Sequence, residues 1–136
     1  MAAIEIFNPD GLAAPGGAYS HVAQVGGGAT TIEVAGQIAM DRDRNVVGVG
    51  DFERQCDQVF ENLGVALRAA GAEWSNVTRC MTFITRREDI PRLRAWRERE
   101  FPKLFPDGAY PPNTLLVVNG LATEELLLEV QVTAAI

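Results

Sequence analysis

An apolar stripe with helical spacing is the clearest pattern along the chain. Between residues 51 and 70 apolar side chains recur every three or four positions, as one face of an α-helix requires: Phe52, Cys56, Val59, Phe60, Leu63 and Leu67. Asp51 is suited to cap the first turn of this helix, and Gly71 is suited to end its last turn. The pattern predicts a helix from about Asp51 to Ala70, and a sheet or a partner must cover its stripe.

Alternation of apolar and polar residues predicts strands on both sides of this helix. Three precede it, at Ile4 to Phe7, Tyr19 to Val25 and Thr30 to Ile38, and three follow it, at Val77 to Thr85, Leu115 to Asn119 and Leu126 to Ala135. In the last strand Glu129, Gln131 and Thr133 occupy one face, and Leu128, Val130 and Val132 occupy the other. That strand therefore has one apolar face and one polar face.

A second helix is predicted to begin at Asp89, with Asp89 as its cap and Pro91 in its first turn. It is expected to run to about Phe101, because Pro102 breaks the pattern there. The order of elements is β-β-β-α-β-α-β-β, with no internal repeat and no linker. A single α+β domain over residues 1–136, with two helices on one face of a mixed sheet, is the simplest arrangement.

Charge and composition exclude several classes of function. The net charge is −6, from 12 basic and 18 acidic side chains, which disfavours a nucleic-acid partner. No stretch approaches the roughly 20 apolar residues of a membrane span, and no signal peptide opens the chain. Cys56 and Cys80 fit free thiols of a reducing compartment. We expect a cytoplasmic protein with no metal and no cofactor.

Three local motifs have an ordinary structural interpretation. A catalytic pair of Ser20 and His21 is disfavoured, because neighbours on a strand point to opposite faces. The three glycines at 26–28 lack the Lys-Ser/Thr of a phosphate loop and indicate a turn. Six arginines interleave with acidic residues and predict a solvated, ion-paired surface: Arg86, Arg87, Arg92, Arg94, Arg97 and Arg99.

A distributed set of residues is more informative. Tyr19 follows a Gly-rich loop, Ala35-Gly36-Gln37 ends a strand, Pro111-Pro112-Asn113-Thr114 enters a strand, and Glu129-x-Gln131 lies on the last strand. Polar groups at strand ends and proline-fixed loops suit a small-molecule pocket. The alternative is that Asn113 is a turn residue and Gln131 faces solvent. Spacing alone favours that alternative.

These segments resemble the reactive intermediate deaminase (Rid, YjgF-like) family over nearly the whole chain. The matching segments are Gly17-Ala18-Tyr19-Ser20-His21, Val34-Ala35-Gly36-Gln37-Ile38, Ala69-Ala70-Gly71-Ala72, Val77 to Ile84, Tyr110-Pro111-Pro112-Asn113-Thr114 and Leu128-Glu129-Val130-Gln131-Val132. The resemblance implies a chorismate-mutase-like α+β fold. It also implies a homotrimer with ligand clefts between subunits and hydrolysis of reactive enamine or imine intermediates.

The chain departs from the family at its polar positions. Asn113 stands where the deaminating branch has a carboxylate-binding arginine, and Gln131 stands where it has a glutamate that handles water. An amide reproduces neither a bidentate guanidinium nor a proton acceptor. Ala35 replaces a serine and Leu115 a cysteine or similar small residue, whereas Tyr19 is retained.

The resemblance and its departures together predict a divergent Rid-family protein that binds a small neutral metabolite between subunits. Its activity would be hydrolysis or tautomerisation of an imine or enamine unlike the usual 2-imino acids, with Asn113 and Gln131 polarising water. The predicted substrate-binding residues are Tyr19, Ala35, Gly36, Asn113, Thr114, Leu115 and Glu129. Glu33 or Glu129 would supply a displaced carboxylate if their strand face lines the cleft.

Two other functions remain open at this point. One is a non-catalytic ligand sensor or partner-binding trimer that kept the scaffold and lost the chemistry. The other is ribonuclease or translation-inhibitor activity, a function attached to this family. The acidic charge and the single histidine weigh against ribonuclease activity.

Overall fold

The computed structural model describes residues 3–136 of the chain. The predicted order of strands and helices is confirmed, and the elements are β1 (Ile4–Phe7), β2 (Val22–Val25), β3 (Thr31–Ile38), α1 (Phe52–Ala69), β4 (Val77–Ile84), α2 (Ile90–Leu104), β5 (Asn113–Val117) and β6 (Leu128–Ala135). Short 3₁₀ turns precede β4 and α2. Within these residues neither helix has the length and apolar character needed to cross a membrane.

The strands form two separate sheets in one protomer. β1 and β2 make an antiparallel pair of their own, and the remaining strands form a four-stranded sheet in the order β3-β6-β4-β5. β4 and β5 are parallel because α2 connects them as a crossover, whereas β6 is antiparallel to both of its neighbours. The larger sheet is therefore mixed, and β5 and β3 are its edges.

The core lies between α1, α2 and one face of the larger sheet. The six apolar residues of the predicted α1 stripe are all buried. On β6 the buried side chains alternate with partly exposed ones, as the pleat of a strand requires. Asp51 caps α1 by accepting a hydrogen bond from the Arg54 backbone N–H (3.0 Å). Gly71 ends the helix with a positive φ of 78°, which permits the Ala72 N–H to reach the Leu67 carbonyl (2.9 Å).

The second face of the larger sheet, which we call the open face, is covered by no helix. Met81 on β4 is paired in register with Thr114 of β5 and Gln131 of β6. Thr133 of β6 donates a hydrogen bond from its hydroxyl to the Glu33 carboxylate (2.8 Å). The polar side chains of β6 therefore lie on the open face.

Four strands begin at other residues than predicted, and β3 and β6 differ only in beginning one and two residues later. β2 begins at Val22 rather than Tyr19, because the backbone of residues 19–21 bonds to loop residues instead of a strand. β5 begins at Asn113 rather than Leu115, because Asn113 already pairs in register with Cys80. Asn113 and Thr114, which were expected to precede the strand, are thus part of the sheet.

Two predictions about α2 are wrong. Asp89 makes no capping hydrogen bond; its buried carboxylate instead accepts from Arg86 Nε (2.8 Å) and Arg92 Nη1 (2.8 Å). The helix also continues through Pro102 to Leu104. Proline removes only one donor, and the last turn is held by burial of the aromatic rings on both sides of it.

An aromatic contact fixes α2 against α1. The rings of Phe60 and Trp96 have centroids 4.6 Å apart, and Trp96 Nε1 donates a hydrogen bond to the Asp57 carboxylate (2.8 Å). An indole that is buried and also satisfied at its N–H is a strong anchor. The contact sets the rotation of α2 and therefore decides which of its side chains turn toward β5.

Gln55 is a buried polar residue that connects α1 to two loops. Its Nε2 donates to the carbonyl oxygens of Gly48 (3.1 Å) and Glu125 (2.8 Å), and its Oε1 accepts from the Leu127 N–H (2.8 Å). Both of its amide N–H donors and its amide oxygen are therefore paired with the backbone inside the protein. The segment that leads into β6 is held by this side chain.

Both cysteines are free and buried. Burial raises the pKa of the Cys80 thiol from 9.0 to about 12. Burial, with the nearby negative charges of Asp57 and Glu53, also raises the pKa of the Cys56 thiol. Neither thiol is a nucleophile at neutral pH, because the reactive form is the thiolate.

We expect Gln55→Ala to lower the free energy of unfolding by roughly 2–4 kcal/mol, because it leaves the Leu127 N–H and the Glu125 carbonyl without their buried partners. Urea denaturation measures this change. Gln24→Ala, at an exposed position of β2, is the matched control and should change stability by less than about 0.5 kcal/mol. A loss of similar size in both variants would contradict the role of Gln55.

Both thiols should resist Ellman's reagent at about pH 8 in the folded protein and react fully after unfolding in guanidinium. The folded-state pKa of Cys80 is raised, so its contribution to stability is complete below the ordinary value of 9.0 and is lost as pH rises toward about 12. Denaturation curves across that range should show declining stability, and Cys80→Ala should reduce the decline. Rapid labelling of the native protein would disprove the burial argument.

Candidate functional site

A cavity of about 490 Å³ lies where the Gly-rich loop, α2 and the start of β5 meet. Its lining includes residues 16–19 and His21 of the loop, four residues of α2, and Asn113 and Leu115 of β5. A cavity of this volume suits a small molecule. It contains three of the residues that the sequence predicts for the site, namely Tyr19, Asn113 and Leu115.

Hydrogen bonds within the loop hold Tyr19 and His21 in place. The Tyr19 hydroxyl accepts from the Gly16 N–H (3.4 Å), and the His21 N–H donates to the Asn8 side chain (2.8 Å). His21 Nε2 lies 2.7 Å from the Ala13 carbonyl oxygen. A carbonyl oxygen only accepts, so Nε2 must carry a proton, and in the neutral ring Nδ1 is then the acceptor.

Ser20 and His21 do not form a catalytic pair. Ser20 is buried, and its N–H lies 3.5 Å from the Pro111 carbonyl oxygen, a contact that joins the loop to the entry of β5. His21 uses Nε2 on a backbone carbonyl rather than on a serine or a carboxylate. The strand alternation invoked from the sequence does not apply here, because both residues lie in the loop before β2.

Asn113 begins β5 with a fixed side chain. Its Oδ1 accepts a hydrogen bond from the Thr82 hydroxyl (2.7 Å), and the preceding Pro112 carbonyl accepts from the Cys80 N–H (2.8 Å). Since the amide oxygen is occupied, the amide N–H₂ group is the part of Asn113 that remains to donate to a ligand. Asn113 is therefore a positioned donor rather than a turn residue.

Strand alternation separates the predicted site residues into two groups. Asn113 pairs with Cys80, and Gln131 pairs with the next residue of β4, Met81. Adjacent residues of one strand point to opposite faces, so Asn113 and Gln131 lie on opposite faces of the sheet. Thr114 shares the open face with Gln131. Within one protomer the two side chains therefore do not meet, and joint action on one water stays a prediction that requires the cleft between subunits.

Gly36 and Glu129 form a close contact outside the cavity. A Cβ atom on Gly36 would collide with the Glu129 carboxylate, so any larger residue there would force the Glu129 side chain to move. The register between β3 and β6 shifts at this point, which marks a β-bulge, and Ala35 is exposed there. Neither Glu129 nor Glu33 lines the cavity, so in one protomer neither replaces the missing carboxylate.

Most of the charged residues around α2 form the predicted ion-paired surface. Arg86 and Arg92 bind the carboxylate of Asp89, and Arg99 binds that of Glu100. The hydrogen bond with Asp89 raises the pKa of Arg86. Arg86, Arg92 and Arg99 therefore have a structural role, in α2 and the turn before it.

The sequence interpretation missed two residues of the cavity, Arg94 and Arg97, which line it from α2. The signal was available in the helical period, because Ile90, Leu93, Arg94 and Arg97 stand at i, i+3, i+4 and i+7 and so share one face. Arg97, one turn after the buried Leu93, is partly buried, whereas Arg94 is exposed. The lining therefore carries positive charge, which the expectation of a neutral metabolite did not take into account.

No cluster of three or more His, Cys, Asp or Glu side chains within residues 3–136 is arranged to hold a metal ion. What the cavity offers is hydrogen-bond donors, two guanidinium groups and one imidazole. These groups suit recognition of a polar, electron-rich small molecule.

Comparison with known proteins gives consistent results. A sequence model of the family described as Endoribonuclease L-PSP matches residues 11–136. The chain is 34% identical over 105 residues to protein DfrA of Myxococcus xanthus, covering 77% of this chain and 76% of DfrA. It is 32% identical over 92 residues to a 2-iminobutanoate/2-iminopropanoate deaminase of Dermatophagoides farinae, covering 68% of this chain and 70% of that enzyme.

A solved structure extends the similarity over the whole fold. The Rid-family protein of unknown function YyfB from Yersinia pestis is 28% identical, with a TM-score of 0.87 and 98% of each chain covered. The two helices and the mixed sheet described above are therefore those of the YjgF fold. Because the sequence model also spans residues 11–136, the resemblance seen in the sequence motifs is confirmed. The chain belongs to the Rid (YjgF-like) family, the family described as Endoribonuclease L-PSP.

Proposed function

We propose that this protein is a divergent Rid-family hydrolase that binds a small metabolite in the cavity between the Gly-rich loop, α2 and β5. Its reaction is hydrolysis or tautomerisation of an imine or enamine. The observation that carries the proposal is the convergence of Tyr19, His21 and Asn113 on one cavity of small-molecule size. Family relatives named 2-iminobutanoate/2-iminopropanoate deaminase support this class of reaction.

Imine hydrolysis needs groups that move a proton and stabilise charge. Water adds to the carbon of the C=N bond, the C–N bond breaks, and ammonia leaves while a carbonyl forms. Asn113 supplies a fixed N–H₂ donor, and the His21 imidazole, which has one nitrogen that donates and one that accepts, is the cavity group suited to pass a proton. His21 thus takes the proton-transfer role in this proposal, in place of Gln131.

The neutral-ligand part of the sequence hypothesis is not kept, because Arg94 and Arg97 line the cavity. A non-catalytic ligand sensor is the second candidate. One observation favours it: within one protomer, no carboxylate side chain of residues 3–136 lines the cavity. A sensor needs only the binding groups, whereas a hydrolase without a carboxylate depends on His21. Ribonuclease activity is disfavoured by the net charge of −6.

We further propose that three copies assemble through the open face, which leaves the ligand clefts between subunits. Two features support assembly. β5 is an edge strand whose backbone has no neighbour on one side, and Leu115 and Val117, on the same face as Asn113, are 37% and 41% exposed at that edge, where a neighbouring copy would cover them. The polar groups of the open face, including Gln131 and Glu129, would then lie beside the cavity of a neighbouring copy.

Sedimentation equilibrium should give three times the 14.7 kDa mass of one chain. Met81→Arg should convert the trimer to monomers, because it places a charge at the centre of the open face. Val65→Arg is the control, since Val65 is 55% exposed on the outer side of α1. A monomeric wild type, or a trimer that persists in Met81→Arg, would refute assembly through this face.

Imines generated in situ by an amino-acid oxidase and trapped with semicarbazide test the reaction. We expect wild-type protein to hydrolyse them at least about tenfold above background, and His21→Gln to lose most of this rate. Asn113→Arg combined with Gln131→Glu restores the two family residues and should increase the rate. His21→Gln at the full wild-type rate would contradict the proton-transfer role.

The same samples distinguish the second candidate. A sensor would show no turnover above background, together with a ligand-dependent rise in melting temperature. Gain of turnover only in the double variant would show that the cleft is intact and that the natural residues serve binding. Either result would disprove the hydrolase proposal for the natural chain.

A further inference from the structure

Arg97 is a partly buried cation without an acidic partner. None of the ion pairs within residues 3–136 includes it. Its Nη2 makes one long hydrogen bond, to the Ala18 carbonyl (3.4 Å), and its buried Nε has no partner. The guanidinium carbon lies 4.5 Å from the centre of the Phe101 ring, which offsets part of the cost of burial.

A guanidinium carries five N–H donors and stays charged at any physiological pH. Burying such a group is unfavourable unless the donors are paired. The burial lowers the pKa of Arg97, the direction expected for a cation that has lost water and gained no anion. The fold therefore holds Arg97 in a state that its own residues do not fully satisfy.

Neighbouring residues show that this arrangement is specific to Arg97. Arg99 on the same helix reaches Glu100, which also binds Lys103. Arg97 instead turns away from that pair and into the cavity, where helical spacing aligns it with Leu93. A charge that is turned away from available carboxylates and toward a cavity indicates an external partner.

A partner of Arg97 in the cavity would also contact residues of β5. The positive charge of Arg97 acts on the Cys80 thiol, and Cys80 is the register partner of Asn113. Arg97 and Asn113 both line the cavity, the first from α2 and the second from β5. The apolar side chains of Ile90, Leu93 and Leu115 complete that wall.

We propose that Arg97 is the anion-binding residue of this cavity, supplied from α2, and that the ligand is a small monocarboxylate whose apolar part packs on Leu93 and Leu115. The proposal rests on the proposed function, because it assigns a ligand class to the same cavity. A carboxylate would pair with the unused donors of the guanidinium, and the Asn113 amide would donate to the adjacent carbonyl or imine group. Arg94, exposed at the same cavity, adds attraction for an anion.

Isothermal titration with 2-oxobutanoate and with its neutral amide, 2-oxobutanamide, tests the anchor. These probes differ only in the charged group. We expect the wild type to bind the carboxylate at least about tenfold more tightly than the amide. Arg97→Met should abolish that preference, and Arg97→Lys should keep part of it, because a lysine retains the charge but not the planar fork.

Arg99→Met is the matched control, since it removes one positive charge from the same helix at an ion-paired surface position. It should keep the full preference for the carboxylate. Arg97→Met should also melt no lower than the wild type, because methionine keeps the packing on Phe101 and removes a buried charge. A clear loss of melting temperature in Arg97→Met would indicate a structural role and would count against the proposal.

Asn113→Arg in the Arg97→Met background should restore the carboxylate preference from β5. Equal binding of the two probes by the wild type, or a preference that survives in Arg97→Met, would overturn the proposal. The two proposals fail separately. Imine hydrolysis without carboxylate preference would remove the Arg97 anchor alone, whereas an Arg97-dependent preference without hydrolysis would remove the hydrolase alone.

Discussion

The two-residue alternation of β6 is the constraint on which the other features of this protein depend. β6 lies inside the larger sheet, and its buried residues Leu128, Val130, Val132 and Ala134 meet the apolar stripe of α1. The intervening residues must then face away from both helices. Burial of one half of the strand therefore creates the open face, and it decides that Gln131 and Glu129 lie there rather than in the cavity.

The helical period of α2 likewise decides which of its arginines face the cavity and which face solvent. Its anchor against α1 through Trp96 turns Leu93 and Arg97 toward β5 and leaves Arg92 and Arg99 at the surface with acidic partners. Side chains of one chemical type thus serve different purposes. Surface ion pairs contribute little stability, whereas a guanidinium held beside a cavity retains donors that can bind a ligand.

Membership of the Rid family settles the scaffold and leaves the chemistry to particular side chains. Asn113 and Gln131 stand at positions where the family resemblance implies an arginine and a glutamate. In the structure the cavity that Asn113 lines also contains the Arg97 guanidinium, which comes from α2, and the His21 imidazole. In the function proposed above, the site thus has a guanidinium and a proton-transfer group that are presented by other elements than the family motifs imply.

The sequence by itself determined the order of elements, both ends of α1, its buried stripe and the family, because these follow from local periodicity, capping and contiguous motifs. Only the tertiary structure decided that α2 passes through Pro102, that Asp89 binds two arginines, and that Asn113 and Gln131 lie on opposite faces. Each of these depends on contacts or strand pairings between residues distant in the chain. The inward position of Arg97 was visible in the helical period, but its significance required the cavity, which exists only when α2, β5 and the loop are packed together.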